Sequence, residues 1–316
     1  MEASWDSKSF MGKYNQWLSA LKAGNYVAHF QLQKLRIDEY TNTKLLVSQG
    51  WYVTERGNKI TFDNDNQMLS GTVFYEKEVN VSDKSVLKEP TFVEVLNRDS
   101  IVAGKELLDK GYNPAVLNMA SPVNPGGGVA SGAAAQEETL FRRTNLFRSL
   151  YQFVPYASTF NIKRSEKQYP LNERFGGIYT PMATVFREEE KDGFKLLDQP
   201  YKLSFITVAG VRNPDLAAQG LMTEKFAELT KDKIRTIFRL GLLHGHDSLV
   251  LGALGCGAFH NPPHHVARLF HEVMYEKEFK DKYKYIVFAI LNDHNSHKEH
   301  NPKGNFLPFE EEFMKK

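Results

Sequence analysis

The amino-acid sequence predicts an α/β fold, with a three-layer α/β/α domain over residues 91–316. From residue 91 onward, apolar runs of strand length alternate with segments of helical periodicity, which is the pattern of such domains. The runs 115–120 and 248–254 are apolar on both faces, as buried central strands are. Residues 1–90 show imperfect helical spacing of apolar residues and are predicted to form a mostly helical N-terminal extension.

The loop after the first run has the sequence Asn124-Pro125-Gly126-Gly127-Gly128, and seven residues later comes Gln136-Glu137-Glu138. Consecutive glycines permit positive φ and let a ligand approach backbone N–H groups. A helix is predicted from Ser131 to about Leu150, so both glutamates would lie near its N-terminus, where carboxylates are favoured. A strand, a glycine loop and a helix in this order are typical of diphosphate sites. The alternative is a tight turn followed by a solvated pair of glutamates.

A second loop of small residues, Gly255-Cys256-Gly257-Ala258-Phe259, follows the second run and precedes a helix predicted to begin near His264. Loops from neighbouring strands could hold a diphosphate from both sides. Phe259 could be a wall for a ribose or a base, or a core residue. Cys256 is the only cysteine, which excludes an intrachain disulfide. A nearby histidine could activate its thiol. The alternative is that the cysteine is present only as a small residue between two glycines.

Composition excludes several classes of protein. The formal net charge is only +2, from 40 basic and 38 acidic residues, so direct nucleic-acid binding is not predicted. The sequence contains no apolar run long enough to span a membrane, and its first residues do not resemble a secretory signal. The single cysteine agrees with a reducing compartment, so an intracellular, cytoplasmic location is expected, or a nuclear one in a eukaryote.

Near the C-terminus, His294, His297 and His300 recur every three residues beside Asp293. Imidazole and carboxylate groups at such spacing could bind a transition metal. The alternative is an exposed polar loop after the last strand, and this interpretation is favoured. No metal site and no cofactor are therefore predicted.

With both loops considered, the chain resembles the bacterial-type poly(ADP-ribose) glycohydrolases of the macrodomain superfamily. These enzymes carry a triple glycine followed, after a short spacer, by Gln-Glu-Glu, as Gly126-Gly127-Gly128 and Gln136-Glu137-Glu138 do here. The resemblance extends over nearly the whole chain. It implies a mixed central sheet and hydrolysis of ribose–ribose O-glycosidic bonds in poly(ADP-ribose), with ADP-ribose as product. A mono-ADP-ribosyl hydrolase acting on modified protein or nucleic acid, or a non-catalytic ADP-ribose-binding module, remain alternatives.

The resemblance also implies residue roles. Glu138 would be the catalytic acid and base, and Glu137 would hold the substrate ribose. Asp99 would hold the adenine amino group, although an Asp before a helix is also a common N-cap. The implied partners are poly(ADP-ribose) or an ADP-ribosylated protein, and the chemistry requires no metal. The implied substrate-binding residues are Asp99, Asn118, Asn124, Gly126, Gly127, Gly128, Val129, Gln136, Gly255, Cys256, Gly257, Ala258 and Phe259.

Overall fold

The computed structural model describes residues 3–63, 65–81, 85–292 and 296–314. The helices are α1 Ser7–Lys22, α2 Val27–Gln49, α3 Asn66–Gly71, α4 Ser100–Asp109, α5 Gln136–Arg143, α6 Leu146–Leu150, α7 Glu224–Leu243, α8 Pro263–Met274 and α9 Phe306–Phe313. The strands are β1 Trp51–Val53, β2 Lys59–Thr61, β3 Val73–Tyr75, β4 Phe92–Leu96, β5 Pro114–Met119, β6 Gly177–Arg187, β7 Leu196–Val208, β8 Ser248–Leu251 and β9 Tyr285–Ala289.

Within the described residues, a seven-stranded sheet has the order β3-β6-β7-β5-β8-β9-β4. The pairs β5–β7, β5–β8, β8–β9 and β4–β9 are parallel, whereas β3 pairs with β6 antiparallel. The sheet is therefore mixed, as the resemblance implied, and the predicted α/β fold is confirmed. β8 and β9 consist entirely of buried residues, which explains why their sequences are apolar on both faces.

The chain forms two compact units, each built from several segments. The first unit contains Met1–Thr72, Val123–Tyr169 and Thr180–Lys202. The second contains Val73–Pro122, Pro170–Tyr179 and Leu203–Lys316. This division differs from the boundary at residue 90 predicted from the sequence.

The difference has a physical cause in the first unit, where α2 packs directly against α5. The hydroxyl of Thr43 on α2 lies 2.7 Å from the backbone carbonyl of Arg142 on α5. A carboxylate of α2, Glu39, forms ion pairs with the guanidinium groups of Arg142 and Arg187. The N-terminal helices and the glycine–glutamate segment therefore share one set of buried contacts.

The single helix predicted from Ser131 to about Leu150 is wrong in its extent. A short 3-10 helix ends at Ser131, and α5 begins only at Gln136. Gly132 lies between them at φ +79°, so close to α2 that a Cβ atom would lie 2.4 Å from the carbonyl oxygen of Gln33. Thr144 then interrupts the helix, because it adopts an extended conformation and forms an antiparallel bridge with Val185. A contact distant in sequence thus lies at the C-terminal end of α5, and another lies at the break that precedes it.

In the second unit, α7 and α8 bury their apolar faces in a core that also contains residues of β5, β8 and β9. Thr223 and His244 are the caps of α7. The helix predicted near His264 is α8, which begins at Pro263. None of the helices in the described ranges has the length and apolar character needed to cross a membrane.

Candidate active site

The glycine loop of the first unit has a backbone that only glycine fits. Gly126 and Gly127 have φ of +84° and +53°. The N–H of Gly127 donates to the carbonyl of Asn124 at 2.9 Å, which closes a tight turn. A Cβ atom on Gly126 would lie 2.6 Å from the ring of Phe141, and one on Gly127 would lie 2.5 Å from Oε1 of Glu138. The absence of side chains therefore makes room for the α5 side chains that pack against the loop.

Two buried glutamates in the first turn of α5 are held by backbone N–H groups. Glu137 and Glu138 are 3% and 7% exposed. Oε1 of Glu137 accepts from the N–H of Gly126 at 3.0 Å. Oε1 of Glu138 accepts from Gly128 at 2.8 Å, and its Oε2 accepts from Ala135 at 3.1 Å. The predicted position near the helix N-terminus is confirmed, and the alternative of a solvated pair is wrong.

The loop N–H groups are occupied in this structure. Those of Gly126 and Gly128 donate to the glutamates, while those of Gly127 and Val129 donate to the carbonyls of Asn124 and Gly126. The loop therefore orients two carboxylates. Its use as a diphosphate site remains a prediction, because a phosphate oxygen would have to replace one of these acceptors.

Gln136 begins α5 in the first unit, and the other predicted site residues lie in the second unit. Asn118, near the end of β5, is fully buried and donates from Nδ2 to the hydroxyl of Thr207 at 3.2 Å. The second small-residue loop turns at Gly255, which has φ +75°. Phe259 is half-buried within it. The structure thus brings the glycine loop together with both glutamates, and the roles assigned to the second loop remain predictions.

An asparagine that the sequence analysis did not select holds this second loop together. Nδ2 of Asn261 lies 2.6 Å from the carbonyl oxygen of Val211 and 3.0 Å from that of Gly255. The sequence signal was weak, because an Asn before Pro262 is common in ordinary turns. Cys256 in the same loop is fully buried, and burial raises the pKa of its thiol, which disfavours the reactive thiolate.

Asp99 is the N-cap of α4, because its Oδ1 accepts from the N–H groups of Ile101 at 2.9 Å and Val102 at 3.1 Å. Asp99→Ala is expected to lower the free energy of unfolding by about 1 kcal/mol, whereas Asp99→Ser preserves the cap. The adenine role predicts that both variants weaken ADP-ribose binding. Thermal unfolding and ADP-ribose titration of the two variants separate these roles, and unchanged affinity in Asp99→Ser would exclude adenine recognition by this carboxylate.

The structure describes only part of the His-rich segment that was considered for metal binding. Asp293 and His294 lie outside the described residues. His297 and His300 contact the carbonyl oxygens of Pro302 and Cys256 through their rings at 3.1 and 2.8 Å. Among the residues that the structure describes, no group of three metal-ligating side chains was found.

His265 is expected to make the second unit sensitive to acid. Its Nδ1 accepts a hydrogen bond from the N–H of Met222 at 2.9 Å, which requires a neutral ring. Burial lowers the pKa of His265 to about 4. The stability that it contributes is thus fully present above pH 6.5 and is lost as the pH falls through about 4. We expect the unfolding midpoint to fall over this interval, and to fall less in His265→Asn, whose amide oxygen cannot be protonated there. An equal fall in both proteins would contradict this assignment.

Comparisons with known proteins agree with the fold. Residues 41–188 match the family model for the catalytic domain of microbial-type poly(ADP-ribose) glycohydrolase (PARG). The poly(ADP-ribose) glycohydrolase structure from Thermomonospora curvata is 28% identical, with a TM-score of 0.70, and the match covers 88% of this chain and 99% of that one. The enzyme from Deinococcus radiodurans in complex with ADP-ribose is 26% identical, with a TM-score of 0.61, over 81% of this chain and 98% of that one. A comparison with curated proteins gave no match.

These matches identify the chain as an enzyme with a macrodomain-like α/β fold. More narrowly, the resemblance to the bacterial-type poly(ADP-ribose) glycohydrolases is confirmed.

Proposed function

We propose that this chain hydrolyses the ribose–ribose O-glycosidic bonds of poly(ADP-ribose) and releases ADP-ribose, with Glu138 as the general acid and base. The observation that carries the proposal is the Glu138 carboxylate, which Gly128 and Ala135 fix above Gly127. It lies within the segment that matches the microbial-type PARG catalytic domain. A structure of similar fold, from Deinococcus radiodurans, contains ADP-ribose.

In the proposed mechanism, Glu138 first donates a proton to the leaving oxygen of the glycosidic bond. The bond to the anomeric carbon then breaks through a transition state that resembles an oxocarbenium ion. Glu138, now ionised, takes a proton from the attacking water. Glu137, which Gly126 holds beside it, accepts hydrogen bonds from the ribose hydroxyls. Because both carboxylates are held by backbone donors of a turn, little reorganisation is needed during the reaction.

We propose that the remaining predicted site residues bind the ADP-ribose part of the substrate. Each of the loops 126–129 and 255–259 would bind phosphate, and Asp99 would bind the adenine. Support for these roles comes from the resemblance and from the glycine conformations at the turns, with Gly126 and Gly255 both at positive φ. A buried lone cysteine also supports an intracellular location for the protein.

The test is release of free ADP-ribose from purified poly(ADP-ribose), with ADP-ribose binding measured in parallel. Release establishes the proposed reaction. Binding without release would contradict it, and release from an ADP-ribosylated protein would then identify a hydrolase of single units. If the protein shows no binding of ADP-ribose and no release of it, the proposed function is overturned altogether.

A further inference from the structure

A cluster of three charged side chains and one hydroxyl is buried behind α5 in the first unit. It consists of Glu39, Thr43, Arg142 and Arg187, and we refer to it as the Glu39 cluster. Glu39 and Arg187 are 0% exposed, and Arg142 is 1% exposed. Oε1 of Glu39 lies 3.1 Å from Nε of Arg187, and Oε2 lies 3.7 Å from Nε of Arg142. One carboxylate thus serves two guanidinium groups, and removing it would leave two buried cations without their counter-charge.

The Thr43 hydroxyl connects the members of this cluster but has only one proton to donate. Its oxygen accepts from Nε of Arg187 at 2.8 Å. Two acceptors compete for its proton, namely Oε1 of Glu39 at 2.8 Å and the backbone carbonyl of Arg142 at 2.7 Å. Since a hydroxyl donates one hydrogen bond at a time, Thr43 donates either to Glu39 on its own helix or to the carbonyl of Arg142 on α5.

Arg142 connects the cluster to the proposed catalytic groups. It follows Glu138 by four residues on α5, so the two side chains leave neighbouring positions on the same helix face. Its Nη2 lies 3.5 Å from the carbonyl oxygen of Val129, at the end of the glycine loop. Burial lowers the pKa of the Arg142 guanidinium, and the charges of Glu39 and Glu138 oppose that change. Arg142 thus contacts the glycine loop on one side and Glu39 on the other.

We propose that Glu39 and Thr43, both on α2, are positioning residues for the reaction, because through Arg142 they fix α5 and the glycine loop so that Glu138 keeps its catalytic geometry. The inference rests on the proposed function. It assigns a part in catalysis to a helix that the sequence analysis placed in an N-terminal extension. The ionised form of Glu39 is the one that holds both guanidinium groups.

The pH dependence of the reaction follows from the groups that face Glu39. These are Thr43 from α2, Arg142 from α5 and Arg187 from β6, with the charge of Glu190 acting from the 3-10 helix that follows β6. Burial raises the pKa of Glu39 to about 7, although both arginines act to lower it. As the pH falls through about 7, Glu39 is neutralised and kcat falls.

The experiment compares kcat, KM and their pH profiles on poly(ADP-ribose) for wild type and four variants. Glu39→Gln keeps the shape but removes the charge, Thr43→Val removes the hydroxyl, and Thr43→Ser retains it. Thr180→Val is the matched control, because Thr180 is also a fully buried hydroxyl of the first unit, bonded to Ser149 at 2.6 Å and outside the Glu39 cluster. The unfolding midpoint of each protein is measured alongside.

We expect Thr43→Val and, at pH 8, Glu39→Gln to lower kcat by about tenfold with little change in KM, as a small displacement of a catalytic group does. Thr43→Ser should retain wild-type kcat, Thr180→Val should leave it unchanged, and the inflection near pH 7 should be absent from Glu39→Gln.

Equal losses in Thr43→Val and Thr180→Val, or a wild-type pH profile in Glu39→Gln, would overturn the positioning role. If Glu39→Gln does not fold, the comparison of Thr43→Val with Thr43→Ser and Thr180→Val tests the positioning role by itself. A wild type that releases no ADP-ribose overturns the proposed function itself, whereas an active wild type with unaffected variants overturns only the positioning role.

Discussion

Glu138→Gln is expected to lower the rate of ADP-ribose release from poly(ADP-ribose) by about two to four decades while leaving ADP-ribose affinity within a few-fold of wild type. The reason is that an amide can neither donate a proton to the leaving oxygen nor accept one from water, and loss of a general acid has an effect of this size. The measurement is kcat on the polymer, with ADP-ribose binding by calorimetry.

The hydrogen bonds of Glu138 determine what this substitution does to the fold. In the wild type, one carboxylate oxygen accepts from Gly128 and the other from Ala135. Glutamine has only one oxygen, so one of the two N–H groups loses its acceptor, at a cost of about 1 kcal/mol in unfolding free energy. The unfolding midpoint must therefore be recorded with kcat, because a loss of stability of this size cannot account for a rate loss of several decades.

Glu137→Gln is the matched control, since Glu137 is the adjacent buried carboxylate and accepts from Gly126. Its proposed contact is with the ribose hydroxyls, so the variant should lose ADP-ribose affinity as well as rate. If Glu137→Gln abolished turnover with unchanged affinity while Glu138→Gln stayed active, the two roles would have to be exchanged.

The site could be predicted from the sequence where its signal is local. The three glycines and the two glutamates lie within one short segment, and the turn and the first helical turn that hold them depend on neighbouring residues. The same holds for the buried strands, whose sequences are apolar on both faces. The resemblance added the chemistry, which no local pattern specifies.

The break at Gly132 and the C-terminal end of α5 could not be predicted, because both involve distant partners. The bridge between Thr144 and Val185 and the approach of Gly132 to Gln33 join residues far apart in sequence. Helix propensity alone favoured continuation through the alanines before Gln136. Tertiary contacts overrode that preference.

The Glu39 cluster was missed for a related reason. Arginine and glutamate on helices are usually solvated, so Glu39 and Arg142 read as surface residues in a single sequence. Their burial becomes apparent only when α2, α5 and β6 pack together and Arg187 supplies the second cation.

Asp99, by contrast, has a local role that the sequence analysis considered. Its role as an N-cap is confirmed.

Gly127→Ala is expected to lower kcat on poly(ADP-ribose) by about two decades, an effect comparable to misplacing a catalytic group by an ångström. The new Cβ would lie 2.5 Å from Oε1 of Glu138 and 3.3 Å from Oε2 of Glu137, so the methyl group and the carboxylates cannot all keep their positions. The residue also has φ +53°, which costs a non-glycine residue roughly 1 kcal/mol.

Gly57→Ala separates the backbone strain from the displacement of the glutamates. Gly57 lies in the first unit with φ +82°, and a Cβ atom there would have no neighbour within 4 Å. Both variants should lose stability, but only Gly127→Ala should lose activity. Activity within a few-fold of wild type in Gly127→Ala would show that Glu138 works from a position other than the one that the glycine loop gives it. The proposed role of the loop would then be wrong, even if the enzyme cleaves the polymer.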